Sequence, residues 1–231
     1  MKITSPGLKF YVDKINAGEH FSFVRYGNGE WDCIMKLYHK TRSGSQKFTP
    51  DLQKALAASL TVHREGEYYR ALQSASFLKR IGILPKAEAW LAENELRIPW
   101  HDGEVFTRPS MKGDFYPLIA ALKKQRVVMV GPKWTMKLPF AKGFVPVRSR
   151  NCWSDIEDIK AQLINIKNSV VSFSAGPATK VLIHYLQPII GKSCWLIDFG
   201  SIWDPYCGVN SRRYHKRMTS KILAKNMKGK A

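Results

Sequence analysis

Four short apolar runs constrain the fold of this chain more than any other feature: "FSFVRY" (21–26), "RVVMV" (126–130), "SVVSFS" (169–174) and "CWLIDF" (194–199). Each is rich in Val, Ile, Phe or Trp and bounded by Gly, Pro or polar residues, the pattern of buried strands. Helical patterns lie between them. "DLQKALAASLTVHRE" (51–65) carries Leu52, Leu56 and Leu60 on one face, and "GDFYPLIAALKKQ" (113–125) runs into the second strand. "SDIEDIKAQLINIKN" (154–168) opens with Ser154 as a helix cap and Glu157 completing a capping box. Strands alternating with helices predict an α/β fold, a Rossmann-like, mostly parallel sheet flanked by helices.

At 231 residues the chain suits one domain over 1–211. Residues 64–114 read as a helical insertion broken at Gly82 and Pro85. Residues 212–231 read as a basic C-terminal tail, either a helix or a disordered arm. Cys33, Cys152, Cys194 and Cys207 are far apart, with no C-x-x-C pair, which argues against a zinc site. "MKITSPGLKF" lacks the apolar core of a signal peptide, and no apolar run reaches membrane-spanning length. The expected setting is therefore the cytoplasm, or the host cytoplasm for a viral protein.

In an open α/β sheet, ligands bind beyond the carboxyl ends of the strands. Each of the four runs exits into glycine plus polar or charged residues: Gly27-Asn28-Gly29-Glu30-Trp31-Asp32, Gly131-Pro132-Lys133, Gly176-Pro177-Ala178-Thr179-Lys180, and Gly200-Ser201 leading to Asp204. One such exit is ordinary turn chemistry; four suggest a shared site. At the third, Gly176 and Pro177 open a helix whose free N–H groups and dipole favour an anion such as a diphosphate, with Lys180 one turn in. At the first, Asn28 and Glu30 offer oxygens to a divalent cation such as Mg²⁺ or Mn²⁺, while Arg25 could pair with Glu30 or grip a phosphate. The plainer reading is that Asn28 tolerates a tight turn and Glu30 suits a helix start.

After the fourth strand, Asp198, Asp204, Tyr206, Arg212, Arg213 and His215 crowd one stretch. The arginines suit phosphate better than packing. His215 is a candidate base, although a lone histidine in a basic tail is more often solvated. No P-loop, G-x-G-x-x-G or nucleophile elbow occurs.

Together "FSFVRYGNGE", "SFSAGPATKVLIHYL" and "IDFGSIWDPY" resemble the GT-D-type glycosyltransferases. In that family a first strand ends in R-[FY]-G-D-G-E, a later strand enters an [SA]-x-G-P-x-A-x-x-L helix, and the next strand ends in D-x-G. The resemblance covers about 21–34 and 126–206. It implies transfer of a sugar from a nucleotide-sugar donor, a UDP-sugar, with Mg²⁺ or Mn²⁺ on the diphosphate. Carried over, Arg25, Gly27, Gly29, Ser174, Gly176, Pro177, Lys180 and Gly200 hold the donor. Asn28, Glu30 and Asp32 hold the metal; Glu30, Asp198 and Asp204 are the catalytic candidates. One position departs from the family: Asn28 replaces the first carboxylate, which removes a charge and weakens metal affinity.

The formal net charge is +19, from 37 Lys+Arg against 18 Asp+Glu. It is concentrated: Thr107 to Ser154 holds ten Lys/Arg and one acid, and Pro205 onward holds eight and none. Two such blocks point to a polyanionic acceptor, with Lys133, Tyr206, Arg212, Arg213 and His215 as its contacts. The leading acceptor is a hydroxymethylated base in DNA, as in a bacteriophage that masks its genome; a glycan or glycoprotein is the other. The competing class is a non-catalytic nucleic-acid-binding protein on a degenerate glycosyltransferase scaffold, for which Asn28 is the favouring feature.

Overall fold

The computed structural model describes residues 1–37, 46–62, 64 and 67–229. The chain runs β1 (Ile3–Thr4), α1 (Leu8–Asn16), β2 (Ser22–Tyr26), α2 (Asn28–Ile34), α3 (Pro50–Thr61), β3 (Tyr68–Leu72), α4 (Ala75–Arg80), α5 (Ile83–Glu93) and β4 (Trp100–Asp102). It continues through α6 (Thr107–Lys112), α7 (Tyr116–Lys123), β5 (Arg126–Gly131), β6 (Ala141–Pro146), α8 (Ile156–Leu163), β7 (Ser169–Phe173), α9 (Ala178–Ile190), β8 (Cys194–Asp198) and α10 (Ser220–Lys228). The eight strands form one sheet in the order β1-β4-β3-β2-β8-β7-β5-β6, and every described pairing is parallel. The four runs legible in the sequence are its centre, β2, β8, β7 and β5.

Central strands of a parallel sheet are covered on both faces, so their apolar residues divide between two cores. Val24, Tyr26, Val128, Val130, Val171, Phe173, Cys194 and Leu196 pack on one side. Their alternating neighbours Phe23, Val127, Met129, Val170, Trp195 and Ile197 pack on the other. This burial on both faces is why the runs read as continuously apolar.

Three sequence expectations change. Residues 64–114 do carry helices α4, α5 and α6, but they also supply β3 and β4 to the main sheet. The segment is thus built into the sheet, not laid over it, although its residues 65 and 66 lie outside the described set. The capping box at Ser154 is absent: α8 starts at Ile156, and Ser154 Oγ instead donates to the Asn151 carbonyl at 2.8 Å within a 3₁₀ turn. The helix expected over 51–65 ends at Thr61, and residues 63 and 65 are not described.

The basic tail is a docked helix. Asn226 on α10 is fully buried; its Oδ1 accepts from the Phe115 N–H at 2.8 Å, and its Nδ2 donates to the Ser110 carbonyl at 2.7 Å and to Tyr206 Oη at 2.8 Å. These bonds fasten 220–228 to α6 and α7, while residues 230–231 are not described.

The strand order reverses between β2 and β8: from β2 the chain moves outward through β3 and β4, whereas β8 adjoins β7 and β5. Such a switch point opens a crevice at the carboxyl ends of the two strands.

Candidate active site

Pairing between β2 and β8 covers only Ser22–Phe23 against Leu196–Ile197. Beyond it the strands part, and the Asp198 side chain replaces the missing backbone partner: its Oδ2 accepts from the Arg25 N–H at 3.2 Å. Its Oδ1 accepts from the Gly200 N–H at 3.1 Å. Gly200 has φ 57, a left-handed conformation that favours glycine, and an added Cβ would lie 3.2 Å from Arg25 Nη2.

Across the crevice, α2 begins directly at the end of β2. Glu30 sits at the third helical position and reaches back, its Oε2 accepting from the Gly27 N–H at 2.8 Å. A Cβ at Gly27 would meet Gln73 Oε1 at 2.7 Å, so a larger residue there would displace the Gln73 side chain. Gln73 Oε1 accepts from the Asn28 N–H at 3.0 Å.

The third strand exit supplies the cation. α9 starts after Gly176 (φ 59) and Pro177, and its first turn carries Lys180 inward. Lys180 is 4% exposed. Its Nζ lies 3.0 Å from Glu30 Oε1 and 2.9 Å from Asp198 Oδ2, and donates to the Gly176 carbonyl at 3.3 Å. An ammonium has three protons, so all three are used. Burial opposes the charge on Lys180, but Asp198 and Glu30 outweigh it and raise its pKa. Burial likewise opposes ionisation of Glu30, yet Lys180, the Gly27 N–H and Arg25 hold its pKa below the ordinary value. Arg25 completes the cluster, its Nη1 3.6 Å from Glu104 Oε1 and its side chain a quarter exposed (26%).

Three of the four exits therefore converge, bringing Arg25, Gly27, Glu30, Lys180, Asp198 and Gly200 together, with Gly176 and Pro177 at the open start of α9. Ser174 directly follows β7 and has a buried hydroxyl with no hydrogen-bond partner among the described residues. Gly29 and Asn28 form the outer turn of α2, with Asn28 exposed, and Asp32 is half-buried one step further on. The Mg²⁺ or Mn²⁺ centre expected at Asn28, Glu30 and Asp32 does not fit this arrangement. Both oxygens of Glu30 are engaged, and among the described residues no three His, Cys, Asp or Glu side chains gather to hold an ion.

The remaining candidates belong to a second layer. Asp204 is buried, with Oδ1 accepting from Trp134 Nε1 at 2.8 Å and Oδ2 from Ser211 Oγ, so it ties the loop after β5 to the C-terminal segment. The Tyr206 hydroxyl bonds Ser110 Oγ at 2.9 Å and Asn226, and burial pushes its pKa to about 12. His215 is buried, not solvated: its Nδ1 accepts from the Arg212 N–H at 3.3 Å, and burial lowers its pKa. Lys133, Arg212 and Arg213 are exposed.

Sequence reasoning missed Gln73, Glu104 and Tyr214. The Tyr214 hydroxyl lies 3.3 Å from Ser201 Oγ, and Tyr214 is among the groups acting on the Arg25 charge. Asp102-Gly103-Glu104 is itself a strand exit of the kind that marked the other three, recognisable once β4 is known.

No family model matches the chain, and no curated protein matches it significantly. Solved structures do match its fold. One, described as a new glycosyltransferase (DUF1792) from Streptococcus sanguinis, superposes with a TM-score of 0.66 at 20% identity, covering 89% of this chain and 84% of that one. Two further structures, of domain of unknown function 1792, each give a TM-score of 0.62 over 88% of this chain and 80% of theirs, at 19% and 20% identity. One of these is described as having a distinct glycosyltransferase fold. The chain therefore has the GT-D-type glycosyltransferase fold that its sequence motifs resemble.

Proposed function

We propose that the protein is a glycosyltransferase that moves a sugar from a nucleotide-sugar donor, a UDP-sugar, to an acceptor hydroxyl. One observation carries this reading: at one edge of a glycosyltransferase-type sheet, Arg25, the glycine-proline start of α9 and the Glu30–Lys180–Asp198 cluster meet. Sugar transfer leaves a nucleoside diphosphate whose terminal oxygens gain negative charge. A guanidinium and the N–H groups of a helix start offset that charge, and because they are already fixed they need little reorganisation. Asp198 is committed to Lys180 and to two backbone N–H groups, and Asp204 to Trp134 and Ser211. We assign neither as the base; the departing diphosphate is the acceptor of the hydroxyl proton.

DNA is the acceptor that the charge distribution favours. Lys133 and Lys137 follow β5, Arg148 and Arg150 follow β6, and Arg212, Arg213, Lys216 and Arg217 come after β8 in the chain, all of them exposed. A basic rim beside the transfer site would hold phosphates while a flipped base is presented to the donor. The test is incubation with a panel of UDP-sugars and DNA containing hydroxymethylated cytosine or uracil, read by mass. A one-sugar gain on the DNA supports the reading, and a gain on a glycan instead would move the acceptor. Neither transfer nor donor hydrolysis with any donor would reject it.

A further inference from the structure

Resting on that reading, we infer that Lys180 is the resident cation of this site: its ammonium, seated between Glu30 and Asp198, takes the place of a divalent metal, and the site binds its donor without one.

The geometry supports this in three ways. First, the two carboxylates that face the crevice from β8 and α2 are already bridged. Lys180 Nζ is 2.9 Å from Asp198 and 3.0 Å from Glu30, closer than separately hydrated ions would lie. Second, the carboxylate that would complete a metal pair in front of Glu30 is missing. Asn28 stands there, exposed, and a neutral amide cannot replace the lost charge. Third, every carboxylate of the cluster already has a cation. Lys180 pairs with Glu30 and Asp198 and Arg25 with Glu104, which leaves a formal charge of only −1. A divalent ion entering between the carboxylates would add two positive charges beside the buried Lys180 ammonium and the Arg25 guanidinium. It would also strip Lys180 of two of its three acceptors, and an uncompensated buried charge is strongly unfavourable.

The consequence is a division of labour. Lys180, with its protons all used, organises the floor of the site and holds Glu30 and Asp198 in place; it is a positioning residue. The donor diphosphate meets Arg25 and the exposed start of α9, which supply fixed positive potential without a diffusible ion.

The test uses the intact protein and two readouts. In the first, Mn²⁺ alone is titrated and the free hydrated ion is followed by electron paramagnetic resonance. Wild type should leave the signal unchanged. Lys180→Met, which frees both carboxylates, should take up one Mn²⁺ per chain, and adding Glu30→Gln should abolish that uptake. Lys180→Ala serves if the Met variant does not fold. Stoichiometric uptake by wild type would overturn the inference. So would absence of uptake by both wild type and the Lys180 variants, because the ammonium would then not be what keeps the ion out. In the second, UDP binding is measured by calorimetry in EDTA and in Mn²⁺. Affinities within about twofold support the inference, and a gain of about tenfold or more with Mn²⁺ overturns it. If UDP binds in neither buffer, the nucleotide-sugar reading fails, while the Mn²⁺ titration still decides whether Lys180 is the cation.

Discussion

Replacing Lys180 by methionine keeps much of the side-chain volume and removes the charge together with its N–H donors, so it isolates what the ammonium does. In the wild type, Glu30 and Asp198 are 8% and 2% exposed, and Lys180 touches both. Removing one partner of a buried pair costs about 3–5 kcal/mol. At near-neutral pH the variant should lose an amount in that range, equivalent to roughly 6–20 °C in Tm for a chain of this size. The pH dependence carries the sharper test. Glu30 has a folded-state pKa below its ordinary value. Its contribution to wild-type stability is therefore fully present above the unfolded pKa of about 4.3 and is lost as pH falls through the folded value. In the variant two buried carboxylates face each other with no cation between them, so at least one acquires a folded pKa above its unfolded one. Such a group adds stability as pH falls, because the folded state now binds the extra proton. The difference between variant and wild type should thus shrink between about pH 8 and pH 5. Urea unfolding across that range reads both curves. A difference below about 1 kcal/mol that stays constant with pH would show that the ammonium is not holding the carboxylates.

Other expectations follow from single contacts. Asn226→Ala leaves the buried Phe115 N–H without its acceptor and undocks α10; it should cost about 2–4 kcal/mol and expose the C-terminal segment to limited proteolysis. Gly200→Ala combines a left-handed φ of 57 with a Cβ 3.2 Å from Arg25 Nη2. It should cost about 1–2 kcal/mol in urea melts and weaken UDP binding by displacing the guanidinium. Alanine at both Arg212 and Arg213, which are exposed and carry no described ion pair, should leave the melting curve unchanged. It should also reduce the salt slope of DNA binding, followed by fluorescence anisotropy, by about 2.

The sequence exposed the centre of the sheet but not its margins. β2, β5, β7 and β8 are covered on both faces, and burial forces a dense apolar signal. β6, "AKGFVP", lies at an edge with only Val145 buried, and β1 and β4 span two and three residues, too short for a pattern. β3, "YYRAL", carries Arg70, which is buried but donates through Nη2 to the Val62 carbonyl at 2.8 Å, so a charged letter hid a core strand. The site divides in the same way. Strand-exit chemistry located Arg25, Glu30, Lys180 and Asp198 because glycine and polar residues collect where a sheet ends. Their relation to one another was not legible. Lys180 reads as a donor contact in the sequence, and its pairing with Glu30 and Asp198 emerges only in the fold. Asp204, Tyr206 and His215 look like chemistry because polar residues crowd one stretch, yet their polar atoms mainly join chain segments. Local sequence cannot separate a reactive side chain from one consumed in docking.

The measurement that most directly tests the central claim is sugar transfer in EDTA, followed by mass, with wild type, Arg25→Ala and Lys180→Met assayed together. The account predicts that wild type transfers one sugar from a UDP-sugar with no metal added. Arg25→Ala, which removes the cation aimed at the diphosphate, should lose most of that activity while remaining folded. Transfer that appears only with Mn²⁺ and vanishes when Glu30 is changed to Gln would contradict it.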